Sequence, residues 1–211
     1  MPSFCDGGME LTMYKLQMKL QKVITLFCLA AAALTFIYSL GVSTDAYFLR
    51  SVESLDVKIP GLEMYYEMQP FNKEFTKFSI VLILLAVACM VFGNHTRRRY
   101  YVANYLTTII SSVANITVAI WAFINVFKYK AMFLAVDYSN LKRVPEKVLI
   151  SKGFDPDNLY GPYSTFWFDI SILFLSLLIL ASLLNIGNMI FKTMLMRDEK
   201  RILKEGELMH E

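Results

Sequence analysis

The run FWFDISILFLSLLILASLLNIGNMIF, residues 166–191, decides the fold of this chain. It carries one charged side chain, that of Asp169, which lies close to its start. About 20 consecutive apolar residues cross the ~30 Å hydrocarbon layer of a membrane as a helix that rises about 1.5 Å per residue. The run is longer than this and its only charge is at one end, so it predicts a transmembrane helix.

Three more runs of the same kind precede it, at residues 23–41, 75–93 and 102–127, and none has a charge near its centre. Lys77, near the start of the second run, can extend its aliphatic stem and keep its ammonium group in the headgroup layer. With 56% hydrophobic residues and a mean hydropathy of +0.45, the chain is more apolar than a soluble core requires. We predict an all-α membrane protein, a single domain over residues 1–211 built as a bundle of four transmembrane helices.

The charged residues and cysteines exclude some classes of protein. A net charge of +3 is too small to indicate nucleic acid as a partner, and the basic residues collect at the ends of the apolar runs. Cys28 and Cys89 lie inside these runs and Cys5 lies near the N-terminus, so the long loops between spans contain no cysteine. Disulfides cannot stabilise these loops, and we expect them to pack on the helix ends or on a partner.

Four spans place both termini and the loop at 94–101 on one side of the membrane, and the loops at 42–74 and 128–165 on the other. The two sides hold nearly equal numbers of Lys and Arg, but basic clusters in short loops remain in the cytoplasm. The cluster that anchors the topology is Arg97, Arg98 and Arg99. We therefore expect the N-terminus, the loop at 94–101 and the tail at 192–211 to be cytoplasmic.

This orientation conflicts with an N-glycosylation motif at Asn94, which would need a non-cytoplasmic position. We expect the arginine cluster to prevail and Asn94 to carry no glycan. A second match at Asn115 lies in the middle of the third span, and we expect no glycan there either.

Short motifs predict local structure outside the spans. In residues 9–22, Met13, Leu16 and Leu20 share one helical face, which predicts an amphipathic segment along the inner leaflet. In the first outer loop, Pro60-Gly61 predicts a turn, and a small hairpin between 57–59 and 62–68 is one interpretation. In the second, Pro145 predicts the first turn of a helix.

Small polar residues recur at helical spacing inside two spans. They are Asn104, Thr108, Ser111 and Asn115 on the third, and Ser182, Asn185 and Asn188 on the fourth. Lipid offers no hydrogen-bond partner, so we expect these groups to join helices at roughly 0.6–2 kcal/mol per bond. A ligand or ion path is the alternative. Asp169 is expected to pair with Lys128 or Lys130, or to contact a partner.

Catalytic chemistry has little support in the sequence. The two histidines, His95 and His210, lie outside the spans and cannot form a metal pair within the membrane. Neither a Cys-x-x-Cys pair, a phosphate-binding loop nor a serine-nucleophile elbow is present. We expect no catalytic residue, no metal and no cofactor.

The stretch LYGPYSTFWFDISILFLSLLILASLLNIGNMIF, residues 159–191, resembles the claudin-like tetraspan superfamily, especially the calcium-channel gamma subunits and the clarins. The likeness rests on Tyr160, Gly161, Ser164 and Trp167-Phe168, which match the entry to the fourth span of that family. The first outer loop has neither the tryptophan nor the cysteines of claudins. The resemblance therefore implies an auxiliary role rather than paracellular strands, with Tyr160, Trp167 and Asp169 as candidate partner contacts.

These observations predict a non-catalytic tetraspan protein that acts as an auxiliary or scaffolding subunit of an ion channel or receptor. Its expected partners are membrane lipids and either a larger membrane protein or further copies of itself. Two alternatives remain open: a cell-junction or adhesion protein that self-associates, and an endoplasmic-reticulum lipid enzyme or transporter. The plasma membrane is the expected location, with the endoplasmic reticulum as the alternative.

Overall fold

The structure, a computed structural model, describes residues 6–55, 57–93, 101–152, 154 and 164–208. Within these residues the chain is all-α and contains no strand, so the predicted fold class is confirmed. The four long helices are α1 (Asp6–Gly41), α3 (Met64–Gly93), α4 (Tyr101–Leu134) and α6 (Phe166–Leu208). The short ones are α2 (Tyr47–Glu53), a 3-10 helix (Ser139–Arg143) and α5 (Glu146–Ser151).

Each long helix contains one predicted span and continues beyond it. All four are long and apolar enough to cross a membrane, which makes the chain an integral, multi-pass membrane protein. With 30 residues, α3 is about 45 Å long and exceeds a ~30 Å hydrocarbon layer. The helices extend beyond the apolar runs because backbone hydrogen bonding does not require apolar side chains.

The hairpin predicted in the first outer loop is wrong. Residues 57–59 form no strand, and α3 already begins at Met64, inside the second predicted strand. The buried side chains here include Met64, Met68, Phe71 and Phe75, whose steps of four, three and four follow a helix. The predicted turn is present: Gly61 has a φ of 91°, a conformation that glycine adopts without a Cβ clash.

The amphipathic segment predicted at residues 9–22 is not a separate element. It belongs to α1, which runs without a break from Asp6 to Gly41. Neither glycine nor proline interrupts the chain between residues 9 and 40, so nothing ends the helix before the span. In contrast, α5 begins directly after Pro145, as its position in the sequence predicts.

The helices pack into two compact units, each with a segment of all four long helices. The terminal unit comprises Met1–Ala32, Val81–Thr117 and Leu177–Glu211. The loop unit comprises Ala33–Ile80 and Val118–Ser176, and it includes the short helices.

Small and polar groups bring the helices together in the terminal unit. The Cys28 thiol donates to the Ala181 carbonyl at 3.4 Å and joins α1 to α6, and Cys89 donates to the Thr107 carbonyl at 3.1 Å and joins α3 to α4. Aromatic rings fill the core of the loop unit. Phe71 stacks on Phe75 at 5.5 Å between centroids and contacts Trp121 at 5.2 Å, joining α3 to α4.

Candidate functional site

The polar residues predicted to join helices are all buried, and they lie in the terminal unit. Between α4 and α6, the Asn185 amide donates to Ser112 Oγ at 3.5 Å. Two further bonds remain within one helix, since Ser182 Oγ donates to the Leu178 carbonyl and Thr108 Oγ1 donates to Asn104 Oδ1. Asn115 Oδ1 is buried and has no hydrogen-bond partner among the described residues.

A network of four carboxamides connects three helices in this unit. It consists of Gln17 and Gln21 on α1, Asn104 on α4 and Asn188 on α6. Gln17 Nε2 donates to Gln21 Oε1 at 3.2 Å and to Asn188 Oδ1 at 3.4 Å, and Gln21 Nε2 donates to Asn104 Oδ1 at 3.2 Å. We call this set the amide network.

Gly93, the last residue of α3, makes room for the amide network. A Cβ at this position would lie 2.6 Å from Gln21 Nε2 and 3.5 Å from Asn104 Oδ1. Any side chain here would therefore displace the Gln21 amide from its acceptor. Because Gly93 has no side chain, the end of α3 can approach the amide network, which itself contains no residue of α3.

Lys192 on α6 adds a cation beside the amide network. Its side chain is only 5% exposed, and it lines a cavity of about 10 Å³. This volume accommodates about one water molecule. The remaining lining residues are Gln21, Asn104, Tyr105, Thr108, Asn185, Asn188 and Met189. The cavity is thus a small hydrophilic site, and its size suits a water molecule or a monatomic ion rather than an organic substrate.

The sequence contained a signal for Lys192 that its position in the predicted tail concealed. Ser182, Asn185, Asn188 and Lys192 advance by three, three and four residues, so the lysine continues the buried stripe by one turn. Gln17 and Gln21 are likewise four residues apart, between exposed lysines. Lys192, Gln17 and Gln21 were not predicted because all three lie outside the apolar runs.

The start of α6 is capped from the segment between α1 and α2, in the loop unit. Asp45 Oδ2 accepts hydrogen bonds from the backbone amides of Trp167 at 2.7 Å and Phe168 at 3.3 Å. These are orphan donors of the first helical turn, which a carboxylate satisfies well. Burial raises the pKa of the Asp45 carboxyl above its usual range, although the two amide donors act in the opposite direction.

We predict that Asp45→Ala lowers the free energy of unfolding by about 1 kcal/mol, because two N–H groups lose their acceptor. Asp45→Asn retains an acceptor, so its free energy of unfolding is expected to lie within a few tenths of a kcal/mol of the wild-type value. Because burial raises the pKa of the Asp45 carboxyl in the folded state, wild-type stability should rise relative to Asp45→Asn as the pH falls through the folded pKa toward the unfolded value. Thermal unfolding in mild detergent at several pH values measures both effects, and equal losses in the two variants would contradict the cap.

Two predicted partner contacts lie beside this cap. Trp167 packs within the loop unit, with its ring 5.6 Å from that of Tyr38, and a Cβ on Gly41 would lie 2.7 Å from its ring atoms. Asp169 forms a salt bridge with Lys130, as predicted for one of two lysines, and accepts a hydrogen bond from Thr165 at 2.7 Å. Partner contact by either residue stays a prediction.

The loop unit also has a larger open cavity outside the predicted spans, which we call the outer pocket. Its volume is about 390 Å³. It is lined by Leu55, Val57, Lys58, Asn140, Arg143, Val144, Pro145 and Val148. The walls are mainly apolar, with two cations and one amide.

Several of the predicted residues lie outside the part of the chain that the structure describes. They are Arg97, Arg98, Arg99, Tyr160 and Gly161, together with Asn94 of the glycosylation motif.

Among the residues that the structure describes, no three His, Cys, Asp or Glu side chains are grouped so that they could hold a metal ion.

Comparison with known proteins adds no relative. No family model, no curated protein and no solved structure matches this chain. Its function must therefore be argued from its own residues.

Proposed function

We propose that this chain is a non-catalytic tetraspan protein that serves as an auxiliary or scaffolding subunit of a larger membrane complex, such as an ion channel or a receptor. The partner binds outside the spans, on the surface formed by the short helices. In the proposed orientation both termini are cytoplasmic, the short helices are extracellular and the protein resides in the plasma membrane. We also propose that the chain belongs with the claudin-like tetraspan proteins, such as the calcium-channel gamma subunits and the clarins, which it resembles at residues 159–191.

The observation that carries the proposal is that the two predicted outer loops fold against each other. We call the structure that they form the outer layer. It comprises residues 42–55, 57–63 and 135–152 of the loop unit. Asn140 Nδ2 donates to the Lys58 carbonyl at 2.9 Å, and the Asp137 amide donates to the Pro60 carbonyl at 3.2 Å. The two segments are thus held together by direct hydrogen bonds.

The outer layer also contains apolar side chains that are fully buried. Its fully buried side chains are Val42, Ala46, Leu49, Val52, Leu141 and Leu149. No cysteine occurs in either segment, so packing takes the place of disulfides. A surface that is already folded loses little conformational entropy on association, which favours binding.

Apolar side chains on this layer provide contact points for a protein partner. Tyr47 on α2, and Val148 and Ile150 on α5, are large and exposed, and all three lie outside the predicted spans. Exposure to lipid explains the apolar surface of the long helices, but it does not explain these three. Aromatic and aliphatic residues on a rigid support are typical anchors of protein interfaces.

The interior of the terminal unit supports a role without catalysis. Its carboxamides hydrogen-bond one another, and the cavity at Lys192 has a volume of only about 10 Å³. An organic substrate needs a pocket of several hundred Å³. The arrangement supports rigid packing rather than turnover.

The proposal is tested by copurification from cells in mild detergent with Ile150→Glu and Ser151→Glu. The two variants add the same charge at adjacent exposed positions of α5, and only the first removes an apolar contact. An anchor residue contributes about 2 kcal/mol to binding, so Ile150→Glu should reduce the recovered partner about 30-fold at limiting concentrations. Ser151→Glu should retain most of it.

A wild-type protein that migrates without a stoichiometric partner would overturn the proposal. Equal recovery with both variants would remove α5 from the interface. Enrichment at contacts between cells that otherwise lack junctions would favour the adhesion alternative, and a glycan on Asn94 would reverse the proposed orientation.

A further inference from the structure

The outer pocket has the volume and the lining of a small-molecule site. Its volume of about 390 Å³ falls within the range of about 300–1,000 Å³ that is usual for small-molecule sites. Such sites are mostly apolar, with a few polar groups that orient the ligand. Five of the eight lining residues here are aliphatic, namely Leu55, Val57, Val144, Pro145 and Val148.

The two walls of the outer pocket are fixed relative to each other. One wall consists of Leu55, Val57 and Lys58, which follow α2, and the other consists of lining residues from the 3-10 helix into α5. The hydrogen bond from Asn140 Nδ2 to the Lys58 carbonyl connects them, and Leu141 and Leu149 anchor the second wall in the core. The pocket is therefore preformed.

The charged side chains among the described lining residues are both basic. They are Lys58 and Arg143, which are exposed at the walls of the pocket. Over residues 55–58 and 140–148 the sequence holds four basic residues, Lys58, Lys142, Arg143 and Lys147, against two acidic ones, Asp56 and Glu146, so basic residues predominate. An arginine binds a carboxylate or a phosphate through two parallel N–H donors, and a neighbouring ammonium adds to the attraction.

We propose that the outer pocket binds a free anionic amphiphile, with a single carboxylate or phosphate head held by Lys58 and Arg143 and a short aliphatic chain against the valines and Leu55. Charge complementarity selects the head, and the aliphatic wall selects the chain. The site does not depend on the proposed partner, because all its residues belong to this chain.

The probe is a decanoate derivative that carries a diazirine, added to the full-length protein in nanodiscs of zwitterionic phosphatidylcholine. After irradiation, mass spectrometry locates the labelled peptides. Unlabelled decanoate, decyl phosphate, decanol and decyltrimethylammonium then compete with the probe. The first two differ in the anionic head, and the last two keep the chain but remove or reverse the charge.

We expect labelling at residues 55–58 and 140–148, suppressed by decanoate or decyl phosphate at concentrations about tenfold lower than those needed for decanol or decyltrimethylammonium. The double variant Lys58→Gln/Arg143→Gln should weaken this competition by about tenfold or more. The control is Lys73→Gln/Lys152→Gln, which removes the same charge from exposed positions outside the lining and should compete like the wild type. All four side chains are exposed, so both variants are expected to fold.

Whichever anionic compound competes better identifies the head group. Equal competition by decanol would overturn the proposal, since the charge would then contribute nothing. Labelling spread over the lipid-exposed helices, or identical competition in the two double variants, would overturn it as well. Copurification of a partner bears on the proposed function alone, so the two ideas fail independently.

Discussion

Replacing Phe168 with alanine is expected to lower the free energy of unfolding by about 3–5 kcal/mol, the largest loss predicted for a single substitution in this chain. Phe168 is 0% exposed and packs on Phe133, with ring centroids 5.8 Å apart. Its backbone amide also donates to Asp45. Truncation would leave a cavity in the loop unit at the position where α4 and α6 meet.

The matched control is Phe166→Ala, two residues earlier on the same helix. Phe166 is 53% exposed, so its truncation removes a ring that is not part of the core. We expect a loss below about 1 kcal/mol, because side chains outside the core seldom contribute more. Unfolding in mixed micelles gives the free energies, and a similar loss in both variants would show that Phe168 is not a core residue.

The same helix shows how far the sequence determines the fold. Residues 166–191 predicted the span and its start, because α6 begins at Phe166. Hydrophobicity does not mark its end, and α6 continues to Leu208 through residues that are mostly polar or charged. Spans are predictable from apolar runs, whereas helix ends depend on hydrogen bonding and local propensity.

The first outer loop, predicted at residues 42–74, was harder to predict. Its aromatic and β-branched residues favour strands by propensity, yet burial of Met64, Met68 and Phe71 at helical spacing determined the structure. Apolar residues recur in this segment with the period of a helix, about 3.6 residues, but the turn signal at Pro60-Gly61 also fits a hairpin. Packing overrides local preference where a few buried side chains decide between helix and strand.

The buried polar residues were predicted only in part. The stripes on α4 and α6 were visible as steps of three and four, but the α1 residues that complete the amide network were not. Gln17 and Gln21 lie among lysines, and their spacing of four residues indicates a shared helical face but not that this face is buried. Only the approach of Asn104 and Asn188 makes these glutamines part of a network.

The second large effect concerns the bond between Gln21 and Asn104, which connects α1 to α4. We expect Asn104→Leu to lower the free energy of unfolding by about 1–2 kcal/mol, because the buried Gln21 Nε2 loses its acceptor. Gln21→Met should cost less. Asn104 Oδ1 remains within 3.5 Å of Thr108 Oγ1, so this acceptor keeps one donor.

Combining the two substitutions tests whether Gln21 and Asn104 stabilise the protein through their shared bond or independently of each other. In the double variant Gln21→Met/Asn104→Leu the unpaired Gln21 Nε2 is absent, so its loss should be smaller than the sum of the single losses by about 0.5–1 kcal/mol. Thr117→Val, an exposed and nearly isosteric polar-to-apolar change on α4, controls for altered lipid contact. Strict additivity would mean that the amide network does not couple the helices. Thr117→Val losses as large as those of Asn104→Leu would assign the effect to the membrane environment instead.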